Sequence, residues 1–118
     1  MERILEPEMI DGLKSYLDFG AGILRCKQNA LNCTIYGYAY LSEPDNSLKL
    51  RHLKCLRKEV SLILGQVKRY YYTPKNKRNE GNDNFIHKMY SRLIYLNTEC
   101  TDLIQDLEGR LNENIKEA

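Results

Sequence analysis

The stretch LKCLRKEVSLILGQVKRY, residues 53–70, decides the fold because its apolar side chains recur at helical spacing. Steps of three and four residues alternate along the series Leu53, Leu56, Val60, Ile63, Val67 and Tyr70. Alternating steps of this kind place every member on one side of an α-helix, as in the heptads of coiled coils. The stretch therefore predicts a long amphipathic helix.

A second series of the same kind follows: Ile86, Met89, Leu93, Leu96, Cys100, Leu103 and Leu107. Between the two series, residues 73–81 (TPKNKRNEG) have the proline, glycine and polar content of a loop. Capping side chains around Pro44 and in Asn82-Asp83-Asn84 mark where the helices start. We predict an antiparallel hairpin of residues 46–73 and 83–115, with helices about 45 Å long at about 1.5 Å per residue.

The first third of the chain carries a weaker helical pattern. Its series runs from Ile10 to Leu24 at steps of three and four residues, but Gly20 is one of its members. Gly12, Gly20 and Gly22 each weaken a helix by about 1 kcal/mol relative to alanine. We therefore expect a helix that packs closely at these glycines or bends there.

Residues 34–41 (TIYGYAYL) alternate in the manner of a strand. No second stretch could pair with such a strand, and unpaired backbone groups are costly. For residues 29–42 we favour a helix, while a strand completed by a second copy of the chain stays open. The expected fold is all-α: one domain, residues 1–118, in which residues 7–41 complete a bundle of three or four helices built on the long hairpin.

Charge is distributed unevenly along the 118 residues, although the net charge is only +2. Residues 1–43 hold four Lys or Arg against six acids, net −2; residues 44–78 hold ten against two, net +8; residues 79–118 hold four against eight, net −4. A basic block thus lies between two acidic ones. Blocks of this kind govern association with partners more than they govern the fold.

The four cysteines and the apolar content indicate an intracellular protein. No apolar run approaches the roughly 18 residues that a membrane helix needs, and no targeting segment is recognisable. We expect a cytoplasmic protein without membrane contact, and four mostly buried thiols in a reducing compartment. The glycosylation pattern Asn32-Cys33-Thr34 is then a chance match.

The usual catalytic and ligand-binding patterns are missing. His52 and His87 have no carboxylate beside them in the sequence, and Gly20-Ala21-Gly22 lacks the further glycine and lysine of a phosphate loop. Cys55 lies among cations, yet no base to activate it is identifiable. We expect no enzyme, no small-molecule substrate, no cofactor and no metal.

The basic block offers the best binding surface. Phosphates bind cations and bases stack on aromatic rings, so cations next to exposed tyrosines are typical of nucleic-acid contacts. Such a surface also fits an acidic protein. The candidate contact residues are Lys54, Arg57, Lys58, Lys68, Arg69, Tyr71, Tyr72, Lys75, Lys77 and Arg78. We expect a small accessory or adaptor protein that binds a nucleic acid or a protein partner there.

Two purely structural explanations of the cations compete with this interpretation. Cations in the last turn of a helix complement its dipole, and the acidic last helix could neutralise the basic one. An alternative function is also open: an oligomeric structural or inhibitory protein that binds its target through Asp102, Asp106 and Glu113. Because regular heptad series can extend between chains, we expect a homo-oligomer.

Overall fold

The computed structural model describes the backbone of residues 5–117 and the side chains of residues 5–113. It contains four α-helices: α1 (Pro7–Leu24), α2 (Lys27–Ser42), α3 (Asn46–Tyr72) and α4 (Glu80–Glu117). A single 3₁₀ turn, Lys75–Lys77, lies between the last two. Within the described residues there is no strand. The all-α prediction is confirmed, and residues 29–42 belong to a helix.

Helices that follow each other in sequence also lie side by side in space. Each packs against the next, and α1 packs against α4, which closes the ring. Because the connections are short, neighbouring helices run antiparallel, as in an up-and-down four-helix bundle. The molecule measures 61 × 26 × 22 Å, and α4, with 38 residues, extends along its long axis.

Both heptad series form the centre of the bundle. Leu53, Leu56, Val60 and Ile63 of α3 are completely buried, and so are Ile86, Met89, Leu93 and Cys100 of α4. Burying one large apolar side chain contributes roughly 1.5–3 kcal/mol, so these residues hold the hairpin together. The apolar side chains of both series are buried within a single chain. The expected homo-oligomer therefore draws no support from them and stays a prediction.

Polar side chains cap the start of each helix of the hairpin. At the start of α3, the Leu48 N–H donates to Asp45 Oδ1 at 3.1 Å, as the sequence indicates. The start of α4 differs from the prediction. Asn79 Oδ1 accepts from the Asn82 N–H at 3.1 Å, so the helix begins at Glu80 instead of residue 83.

The turn between α1 and α2 needs only two residues. Arg25 adopts a left-handed conformation with φ 57°, and the Cys26 N–H donates to the Ala21 carbonyl at 3.0 Å. Close packing in α1 occurs at Gly20, where an added Cβ would lie 2.5 Å from Met89 Sδ. Gly22, in contrast, has nothing within 4 Å. Among Gly12, Gly20 and Gly22, it is therefore Gly20 that allows α1 and α4 to pack closely.

Candidate binding site at the hairpin tip

The hairpin tip comprises the last two turns of α3, residues 73–79 and the first turn of α4. Two side chains close it from inside: the Tyr70 hydroxyl donates a hydrogen bond to Asp83 Oδ1, and Arg78 Nε lies 3.7 Å from Asp83 Oδ2. The Arg78 Cζ also lies 5.8 Å from the ring centroid of Tyr70 and 5.2 Å from that of Tyr71. Arg78 therefore makes cation–π contacts with both rings while its charge faces a carboxylate.

This arrangement shifts the tyrosine hydroxyls toward their neutral form. Burial and the hydrogen bond to Asp83 raise the pKa of Tyr70 to about 12. Burial also raises the pKa of Tyr71; the Asp83 charge adds to this, and Arg78 opposes it. Both hydroxyls therefore hold their protons to higher pH than an exposed tyrosine does.

A pocket opens beside Tyr71. It has a volume of about 420 Å³ and is lined by Val67, Lys68, Tyr71, Tyr72 and Tyr90; we call it the tyrosine pocket. The side chain of Val67 is 1% exposed and that of Tyr72 is 84% exposed. The pocket thus has an apolar base in the core and a freely accessible ring at its edge.

Four exposed cations lie at the tip, and one of them, Lys68, lines the pocket. They are Lys68 and Arg69 at the end of α3, and Lys75 and Lys77 in the 3₁₀ turn. Among the side chains that the structure describes, no carboxylate forms an ion pair with any of the four. The tip therefore presents net positive charge to solvent beside accessible aromatic rings.

Arg78 lies inside the tip, although the sequence placed it on the basic surface. Its side chain is 13% exposed, and its Nε and Nη1 atoms are buried without a hydrogen-bond partner. It supports the Tyr71 ring from the side of the tip's interior. Its structural role is to position that ring.

The more distant members of the basic block form a second group. Lys54 Nζ lies 3.1 Å from Glu108 Oε1 of α4. Arg57 is half-buried next to α4, where it counteracts the burial that raises the pKa of the Cys100 thiol to about 12. Lys58 is exposed. Two of these three cations thus interact with α4, and Lys54 is paired with one of its carboxylates, whereas at the tip the α4 carboxylate Asp83 pairs with Arg78.

The acidic candidates on α4 do not form one free surface. Asp106 Oδ2 lies 3.1 Å from Arg110 Nη2 in the same helix, and Asp102 is half-buried. Glu113 is exposed. Glu99, for which no role was predicted, is 8% exposed. These placements divide the acids between the bundle's interior and its surface.

Sequence reasoning missed Tyr90 and the inward role of Asp83. Tyr90 directly follows the buried Met89 and reads as an ordinary flank of the heptad series. Only the register of the antiparallel hairpin places it beside Val67 and Tyr71. A further correction concerns His52, whose Nε2 lies 3.7 Å from Glu43 Oε2 because the turn after α2 folds back onto α3.

Other kinds of site are not evident in the described part of the chain. No three His, Cys, Asp or Glu side chains there come together as metal ligands would. None of the helices described is both long and apolar enough to cross a membrane. Comparison of the chain with protein-family models, curated proteins and solved structures finds no match.

Proposed function

We propose that the protein acts by binding, without catalysis, and that its hairpin tip contacts nucleic acid. The observation that carries this proposal is the tyrosine pocket with Lys68 in its lining, at the end of the helix that leads into the turn of Lys75 and Lys77, where none of the three lysines forms an ion pair with a described carboxylate. Lysines bind phosphates through charge, and accessible aromatic rings stack on bases. The tip offers both within one small surface.

The geometry favours the tip over the acidic face of α4. At the tip, Lys75, Lys77 and Tyr72 are exposed side chains without a described intramolecular partner. On α4, in contrast, Asp106 is paired within its own helix and Asp102 is half-buried. Groups that already have partners inside a protein lose those interactions when they bind a target, which lowers the net gain.

Fluorescence anisotropy with labelled DNA and RNA at about 50 and 200 mM salt tests this function. If Lys68, Lys75 and Lys77 each neutralise one phosphate, affinity should fall roughly twentyfold to fortyfold between the two salt concentrations. Binding that is independent of salt would contradict the proposal. So would the absence of binding at the lower concentration, and the tip would then be assigned to a protein partner.

A matched pair of triple variants locates the surface. Changing Lys68, Lys75 and Lys77 together to Ser should weaken binding and reduce the salt dependence by about one unit of slope per lysine. The control changes Lys14, Lys27 and Lys49 to Ser, which alters the net charge equally at positions outside the tip, in α1, α2 and the start of α3. Both triples should unfold at nearly the wild-type temperature, because surface substitutions usually change stability by about 0.5 kcal/mol or less. Equal losses of binding in the two would remove the tip from consideration.

A further inference from the structure

We infer that the tyrosine pocket receives an unpaired base, so that the tip distinguishes single strands from duplexes. This inference rests on the proposed function and specifies which form of nucleic acid the tip selects. The pocket volume of about 420 Å³ lies within the usual range of small-ligand sites, roughly 300–1,000 Å³. A base inside a duplex is stacked between its neighbours and cannot enter such a pocket.

The rings around the pocket differ in how firmly they are held. Tyr71 has Arg78 at 5.2 Å on one side and makes an edge-on contact with Tyr70 at 5.4 Å between centroids. Tyr90 is half-buried and packs against the core. Tyr72 is 84% exposed. Two supported rings and one accessible ring make an open site on which a base can stack.

Positive charge lies where the strand's backbone would pass. Lys68 lines the pocket itself, and Lys75 and Lys77 follow in the adjoining turn. A base in the pocket therefore brings its own phosphate to Lys68, and the neighbouring phosphates can reach the turn. The positive charge of these lysines complements the phosphates of a nucleic-acid strand. It would not help the site to bind a neutral aromatic compound.

This placement also gives Arg78 a defined part in the site. Its guanidinium makes a cation–π contact with Tyr71 and faces Asp83, so it does not need to touch the strand. It acts as a positioning residue that keeps the Tyr71 ring in place. Base recognition then depends on the internal contacts of the tip as well as on its surface.

The deciding probe is a strand that keeps its phosphates but lacks its bases. The purified full chain is titrated at about 50 mM salt with three labelled probes of equal length: an oligothymidine, the same backbone with abasic residues, and a duplex. We expect the oligothymidine to bind about 5-fold to 140-fold more tightly than the abasic strand, the range that one stacked base supplies. It should also bind more tightly than the duplex.

Two tyrosine variants test whether the pocket is responsible. Tyr72→Ala should bind the oligothymidine no better than the abasic strand, with its affinity for the abasic strand unchanged. Tyr90→Leu should act in the same direction. The control, Tyr95→Ala, removes another exposed ring of α4, one that lines a different groove with Met9 and Leu13, and should keep the preference.

The outcomes separate this inference from the function on which it rests. Equal binding of all three probes, with the salt dependence intact, would overturn the base pocket and leave the phosphate-binding tip standing. A preference for bases that survives in Tyr72→Ala and Tyr90→Leu, both folded by circular dichroism, would also overturn it. Failure of every probe to bind would contradict both.

Discussion

The Ile10 side chain of α1 occupies the space in which a side chain at Gly37 of α2 would begin. A Cβ built at residue 37 would lie 2.8 Å from Ile10 Cδ1 and 3.2 Å from both of its Cγ atoms. Ile10 is 3% exposed, and its β-branched side chain has few other rotamers. The two helices can approach this closely because residue 37 has no side chain.

Gly37→Ala should therefore destabilise the bundle. Overpacking of this kind costs about 1–3 kcal/mol, which outweighs the gain of about 1 kcal/mol that alanine brings to a helix. Urea unfolding measures the difference. As a control, Gly65→Ala in α3 should raise stability, because nothing lies within 4 Å of the added Cβ. If both variants gain stability equally, the contact with Ile10 does not prevent a side chain at residue 37, and the prediction is wrong.

A part-buried carboxylate joins α2 to α3. Glu59 accepts from Asn29 Nδ2 at 2.8 Å and from Asn32 Nδ2 at 3.4 Å. Asn29→Ala leaves this charge with one weak donor, so we expect a loss of about 1–3 kcal/mol in the free energy of unfolding. Gln105→Ala, at an exposed position of α4, should change it by no more than about 0.5 kcal/mol. Equal effects of the two variants in chemical denaturation would contradict a structural role for the Glu59 contact.

The tip should lose stability at high pH through Tyr70. Burial and the hydrogen bond to Asp83 raise its pKa from 10.0 to about 12, so the folded state favours the neutral phenol. The unfolded chain releases this proton at lower pH, and stability falls as pH rises from about 10 to about 12. Below about 10 the contribution is fully present. We expect wild type to lose more stability across this interval than Tyr70→Phe does, measured by urea unfolding at each pH; parallel losses would refute the contribution of Tyr70.

The four thiols should react at different rates in the folded protein. Burial raises the pKa of Cys33 and Cys100 to about 12 and also raises that of Cys26, whereas Cys55 is half-buried. The reactive form of a thiol is the thiolate, and it also needs access to the reagent. Iodoacetamide near neutral pH should modify Cys55 first, as read by peptide mass spectrometry, and the other three only after denaturation. Early labelling of Cys33 would show that α2 opens readily.

The sequence predicted the fold well wherever one helical face is apolar. The series beginning at Leu53 and at Ile86 specified two long helices, and the predicted boundaries lie within three residues of those observed. Residues 34–41 were harder, because tyrosines on several sides of a helix resemble the alternation of a strand. Of these eight residues, only Gly37 is fully buried, so the segment has no apolar stripe that would indicate a helix.

At the tip, the sequence determined which residue types are present: tyrosines and cations at the end of α3, and a short polar turn. Tertiary structure decided how they are used. Arg78 follows Lys77 directly in the chain, yet Asp83 and two tyrosine rings draw it inside while Lys77 stays in solvent. Tyr90 joined the pocket from the opposite helix. Helical periodicity is a local property that sequence spacing reveals, whereas such contacts depend on the register between two helices, which only their packing fixes.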